Sequence, residues 1–358
     1  MISSCNSEDD AENVMHSPSS EFSVRPESDF DGILSPAEAE TASDENAVPA
    51  LEEVFVFDEE NPNYREAMRQ WVMSISDIAK SANPNFIIIP QNCSPLFTIS
   101  GKAKGEAATK FIEKIDGAGQ ESISYGYDDF NKATRAQDRE YIASMLNLGI
   151  KNGLYVLSVN YCNTSAKKEE SYIFDNENGY VSFVSPSLEL NAIYDNVINE
   201  NQNDILSLAD AKNWLCLLNP EKYGEKQEYI NALCKTNYDV LVIDAFFYDN
   251  EMLTKDDLDK LKTKANGGKR LVISYLSIGE AEDYRYYWDS SYYENPPEWM
   301  LTENPNWEGN YPVKYWEDEW QNTIALADDS YLLRIIEAGF DGAYLDIVDG
   351  YETFENME

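Results

Sequence analysis

A chain of 358 residues with 43% apolar side chains, 24 tyrosines and 7 tryptophans is long enough to bury a sizeable core. A formal net charge of −39 argues against nucleic acid and against an anionic membrane surface, since both need clustered Lys and Arg. The one histidine, His16, stands in an acidic N-terminal stretch, which removes the Ser-His-Asp triad, the Cys-His pair, the H-E-x-x-H zinc site and the imidazole base from the folded part. What remains in quantity is Asp and Glu among Tyr and Trp, the equipment of glycosidases and sugar-binding proteins.

Residues 1–60 carry seventeen Asp and Glu against one Arg, a composition that reads as a disordered acidic tether. Within it Cys5, followed by Ser7-Glu8-Asp9-Asp10, resembles the mature start of a bacterial lipoprotein, so a lipid anchor at Cys5 and an extracytoplasmic, secreted or cell-surface location are expected. No stretch approaches the roughly 20 apolar residues of a membrane span. Cys93, Cys162, Cys216 and Cys234 lack C-x-x-C spacing and read as small buried hydrophobes; no metal or other cofactor is expected.

Residues 61–358 read as one domain. Met68, Trp71, Val72, Ile75, Ile78 and Ala79 recur at helical spacing over Tyr64–Ala82, between the start signal Asn61-Pro62-Asn63 and the stop Asn83-Pro84. The short apolar run Phe86–Ile89 follows, of the kind buried on both faces in a parallel sheet. Further strands are predicted at Ile115–Ser124, Gly153–Tyr161, Tyr180–Val184, Trp214–Leu218, Asp239–Ala245, Arg270–Leu276 and Phe340–Asp346. Helices are predicted at Gln137–Leu148, Lys226–Lys235, Lys255–Lys264 and Trp320–Ala338. Alternating strands and helices argue for a parallel sheet, and this number of units suits a closed (β/α)8 barrel. The strands end in polar residues, among them Asn92, Glu121, Asn160, Asp244, Glu280 and Asp346, which such a barrel would gather at one mouth.

Three segments concentrate candidate chemistry. In Asp116-Gly117-Ala118-Gly119-Gln120-Glu121 two glycines precede a strand-end acid and would keep the backbone clear for substrate or for a neighbouring chain. Leu276 to Arg285 reads as a strand running into an acidic turn, Glu280-Ala281-Glu282-Asp283, beside Tyr284, Tyr286, Tyr287 and Trp288; such rings suit sugar faces. In Gly339 to Asp349, Asp346 closes a buried-strand pattern where an acid needs a partner or a function, while Asp341-Gly342 can be the turn leading in.

Ser274 to Arg285 and Gly339-Phe340-Asp341-Gly342 through Asp346-Ile347-Val348-Asp349 resemble signature segments of glycoside hydrolase family 114, the endo-α-1,4-polygalactosaminidase family; Asp239–Asp244 and the Trp307-Glu308-Gly309 region are similar too, over most of residues 61–358. The segments resembling the family's later strands, Phe86 to Asn92 and Asp116 to Tyr127, come first here, as in a circularly permuted group of extracellular glycosidase-like proteins. The resemblance implies a TIM barrel with permuted strand order, and endo-acting hydrolysis of an aminosugar-containing polysaccharide by a monomer. It carries the family's acid pair onto Asp346 and Glu121 as an acid/base or acid/nucleophile pair. Leu345 and Ile347 replace the Pro and Asn that flank the acid in relatives, and Asn160 stands where relatives tend to have an acid. Asn92, Asn160, Asp244, Glu280, Glu282 and Arg285 are the candidate substrate-positioning groups, with Tyr275, Tyr284 and Trp307 as ring platforms. The alternatives are a non-catalytic carbohydrate-binding barrel and a glycosidase for neutral glycans.

Overall fold

In the computed structural model, which describes residues 55–194 and 196–357, α1 (Tyr64–Ala82) has the limits read from the sequence. Asn63 caps it by accepting the Glu66 N–H at 3.0 Å, and Asn83, ahead of Pro84, turns extended and stops it. Met68, Val72, Ile75 and Ala79 form its fully buried face. Cys5 and His16 lie outside the described residues. Packing begins a little before the boundary expected at residue 61, because the Phe57 ring stacks on Trp316 with centroids 4.2 Å apart.

The chain continues through β1 (Ile87–Pro90), α2 (Thr109–Lys114), β2 (Gly117–Glu121), α3 (Ala136–Lys151), β3 (Tyr155–Tyr161), α4 (Ser165–Asn178), β4 (Val181–Ser185), β5 (Trp214–Leu217), α5 (Lys226–Leu233), β6 (Val240–Ile243), α6 (Lys255–Leu261) and β7 (Leu271–Ser277). It ends with β8 (Glu280–Glu282), β9 (Asn310–Pro312), α7 (Asp318–Gln321), α8 (Tyr331–Ala338), β10 (Gly342–Asp346) and α9 (Tyr351–Glu355). The fold is mixed α/β around parallel strands. β1, β10, β7, β6 and β5 lie side by side in that order, β2, β3 and β4 form a second parallel sheet, and β8 and β9 pair as an antiparallel hairpin. The first predicted strand lies against the last, with Ile88 opposite Ala343 and Ile89 opposite Tyr344.

The two parallel sheets join where Gln91 bridges Gly119 in parallel, with Asp116 N donating to Ile88 O at 3.0 Å and Asn92 N to Gly119 O at 2.9 Å. At the other edge Phe183 of β4 meets Trp214 of β5 edge-on at 5.6 Å. The Trp214 indole N–H donates to Ser158 O at 3.1 Å. On the outside, α1 packs against α2, α8 and α9.

Three expectations change. The helix predicted at Trp320–Ala338 is two, because a π turn at Asn322–Leu326 ends the first and Asp328-Asp329-Ser330, residues that favour caps over helix interiors, start α8. The stretch after β7 is not a turn but β8, whose Ala281 pairs with Tyr311 of the hairpin partner. α4 was not predicted; its buried positions are Ser171 and Asp175, so it shows no apolar stripe.

Just before the strands, acids face the backbone of their neighbours. Asp116 accepts the Ile88 N–H at 2.8 Å, Asp239 the Lys212 N–H at 2.8 Å and Asp341 the Val272 N–H at 2.9 Å. Each also meets a lysine: Lys80 at 3.0 Å, Lys264 at 2.9 Å and Lys262 at 2.7 Å respectively. Asp341-Gly342 is thus the turn into β10, with its carboxylate committed to β7.

Of the two uses expected for Gly117 and Gly119, room for substrate and room for a neighbouring chain, the structure shows the second. A Cβ on Gly119 would lie 2.1 Å from the Tyr344 hydroxyl oxygen, and one on Gly117 would lie 2.8 Å from Tyr155 O, so the glycines admit a core ring and a neighbouring strand. Gly119→Ala is expected to lower stability by about 1–3 kcal/mol through overpacking. Chemical denaturation measures this, and an unchanged midpoint would mean that the Tyr344 ring can move aside.

Candidate active site

The carboxyl ends of the strands open on a cavity of about 850 Å³. Asn92, Glu121, Asp244, Tyr275, Glu280, Glu282, Tyr284, Arg285, Trp307 and Asp346 all line it. Asn160 does not. Its side chain is fully buried, accepting the N–H of Ser124 at 2.7 Å and donating to Asp175 at 3.1 Å. It braces the turn after β2 and is withdrawn as a substrate contact.

Asp346 ends β10. One carboxylate oxygen accepts the N–H of Ile347 at 2.8 Å, and the other accepts the Tyr275 hydroxyl at 2.9 Å. Ile347 adopts φ 56°, unusual for a β-branched residue and strained, and Gly279 leaves room for its carbonyl, which would lie 2.3 Å from a Cβ there. The seat is only partly open to water, and this enclosure, then the charges of Glu121 and Asp349, push the Asp346 carboxyl up to about 8.

Glu121 ends β2. It accepts the Tyr161 hydroxyl on one oxygen and Asn92 Nδ2 on the other at 3.3 Å. The same Asn92 amide donates to Asp349 at 3.2 Å, while Asn92 Oδ1 accepts the Glu121 N–H at 3.2 Å. One side chain, itself at φ 51°, therefore spaces two carboxyl groups. Burial, then Glu352 and Glu121, push Asp349 up to about 7. Among the described residues none of Glu121, Asp346 and Asp349 has an ion pair. With Asp346 raised to about 8 and Asp349 to about 7, this side of the cavity keeps a proton near neutral pH.

The other acids differ. Arg285, buried, bonds Asp244 at 2.8 Å and Glu282 at 2.6 Å, which ties β6 to the β8–β9 hairpin. Asp244 and Glu282 thus face the cavity as halves of ion pairs, with burial raising and Arg285 lowering the Asp244 pKa. Glu280 is buried and accepts Asn304 Nδ2 at 2.8 Å; burial raises its pKa. Tyr275 is also buried and acts through its hydroxyl on Asp346, not as an open platform. Tyr284 and Trp307 are 54% and 58% exposed, and the Arg285 guanidinium lies 5.0 Å from the Tyr284 ring centroid.

Asp349, Tyr161 and Tyr344 are site residues that sequence reasoning left unassigned. For Asp349 a signal existed, an acid three residues beyond the strand-end Asp346; the two tyrosines sit inside strands and read as core. Cys93, Cys162 and Cys216 are buried thiols, Cys216 at the cavity wall, and Cys234 is half-buried.

The raised Asp346 pKa has a consequence for stability. The folded state keeps the proton between about pH 4 and 8, where the unfolded chain releases it. This contribution to stability is therefore full below about pH 4 and lost as pH rises through 8. Asp346→Asn is expected to melt higher than wild type above pH 8, with the gap closing toward pH 4, in thermal scans across pH. A constant gap would mean that Asp346 is not protonated in the fold.

The chain has recognisable relatives. It is 46% identical over 125 residues to an uncharacterized protein of Methanocaldococcus jannaschii, a stretch that covers 34% of each chain. It is 39% identical over 133 residues to one of Deinococcus radiodurans, 37% of this chain and 40% of that one. It is 39% identical over 120 residues to one of Thermotoga maritima, 34% of this chain and 35% of that one. The match thus spans about a third of the length of these relatives. Glu121 lies ahead of the family match, which is shorter than the resemblance read from the sequence. Residues 196–358, the segment that carries Asp244, Glu280, Glu282, Arg285 and Asp346, match the model of glycoside-hydrolase family GH114.

Proposed function

We propose that the protein is a glycoside hydrolase in which Asp346 is the acid and Glu121 the partner carboxylate, acting within chains of an amino sugar. The observation that carries this reading is Asp346 itself, a strand-end carboxyl held protonated near neutral pH beside Glu121 in an open cavity. In such a site Asp346 gives its proton to the glycosidic oxygen as the C–O bond breaks. Glu121 meets the positive charge at the anomeric carbon, either by bonding to it or by taking a proton from the incoming water. Tyr161 and Asn92 hold Glu121 for this, and Tyr275 with the Ile347 N–H holds Asp346. The open rings of Tyr284 and Trp307 suit sugar faces. The surplus of acids over cations at the mouth favours a protonated amine on the substrate.

The same reading includes a (β/α)8 barrel, supported by the join between β1 and β2 and by the approach of β4 to β5, with strand order permuted so that α1 and β1 precede the family segment. It also includes a secreted or surface-anchored monomer carried on the acidic N-terminal stretch, supported by composition alone.

Wild type is expected to release reducing ends from α-1,4-linked polygalactosamine, and Asp346→Asn and Glu121→Gln to lose about 10²–10⁴-fold in rate. Equal product from wild type and both variants would discard the pair, and product from neutral glycans alone would discard the amino sugar. The alkaline limb of kcat/KM should fall near the Asp346 value of about 8. Asp349→Asn removes a charge that holds this proton, so it should move that limb to lower pH. An unmoved limb would mean that Asp349 plays no part.

A further inference from the structure

A second cleft, of about 320 Å³, shares a wall with the main cavity. Asn92, Glu121, Ser122, Tyr127 and Asp349 line both, whereas Asp346, Asp244 and Arg285 line only the larger one. Much of its remaining wall comes from helices that the larger cavity does not touch: Asp138 and Tyr141 on α3, Glu352 on α9 and Arg65 on α1. Glu121 thus stands on the divide between two openings.

We propose that this cleft is a sugar-binding subsite on the other side of the cleaved bond from the main cavity, so that a glycan lies across Glu121 with units in both. The inference rests on the glycosidase reading and extends it. An enzyme that trims chain ends needs one side of its carboxylates closed; here a bond held against Glu121 has room on both sides. The volume is at the low end of the about 300–1,000 Å³ of small-molecule sites, which suits a single sugar unit.

The lining fits that occupant. Tyr127, 51% exposed, stands in the wall common to both clefts and offers an apolar ring face. Arg65 is already engaged, with two guanidinium nitrogens on Glu355 at 2.8 Å and its plane over the Tyr351 ring at 4.4 Å, so it does not draw an anion into the cleft. Glu352, exposed, accepts the Tyr351 hydroxyl at 3.4 Å and can also accept from a sugar hydroxyl or ammonium.

The test uses the full chain, α-1,4-linked galactosamine oligomers of increasing length, and mass-spectrometric mapping of the products. Tyr127 and Glu352 are surface side chains, so Tyr127→Ala and Glu352→Gln should keep the fold. For oligomers long enough to reach the cleft, kcat/KM should drop about tenfold, the loss of one charged hydrogen bond or ring contact, and the major cut should shift by one sugar. The loss should grow with oligomer length and be smallest for the shortest cleavable one, a split that general damage to the site would not give. Wild-type cleavage with the same cut positions and the same length dependence in both variants would overturn the subsite alone. No cleavage by wild type would overturn the glycosidase reading and the subsite with it.

Discussion

Among the described residues eight strands run the same way, and the structure depends on this. Parallel strands place every N-terminal end on one side and every carboxyl end on the other, so the two rims face different electrostatic problems. At the N-terminal rim the need is for acceptors, since N–H groups there have no partner within the ladder. Asp116, Asp239 and Asp341 meet it by accepting the N–H of Ile88, Lys212 and Val272, and Lys80, Lys264 and Lys262 balance their charge. For Lys264 and Asp239, both fully buried, removing either partner would strand a charge in the core. The opposite rim has no such balance at Glu121, Asp346 and Asp349.

Local backbone geometry points the same way. Asn92, Ser122 and Ile347, each just past the end of a strand, take positive φ of 51°, 58° and 56°. Asn tolerates this conformation; Ile does so only under constraint, of order 1–3 kcal/mol. In Ile347 the constraint is visible. Its N–H is turned back onto Asp346, and its carbonyl fits the space left by Gly279. The kink that costs stability is the one that fixes the carboxyl.

How much of this was legible in the sequence follows from what each segment buries. Strands such as Ile87–Pro90 and Val240–Ile243 are covered on both faces and read as continuous apolar runs, and α1 shows a clean stripe with a cap and a stop. α4 buries Asp175 against Ser158, Ser182 and Asn160, a polar contact with no periodic signal. The same contact explains Asn160: an inward polar residue in a strand can serve a neighbouring turn as well as a ligand, and sequence cannot tell which. Glu121 and Asp346 were legible because each is an acid at the end of an otherwise buried strand. The roles of Asn92 and Tyr275 were not, because a residue that acts through another acid carries no mark of it before the chain is folded.

The site separates its acids by what stands next to them. Asp244 and Glu282 share Arg285, whose own proton is held more tightly by both, so their charges are largely answered within the cluster. If Glu121 or Asp349 had a similar cation, the field that raises Asp346 would weaken, since opposite charges at such distances offset one another. Confining the cation to the β6 and β8 side leaves the β1, β2 and β10 side with acids alone. Burial does most to keep Asp346 protonated, and this division adds to it by leaving Glu121 and Asp349 as its charged neighbours.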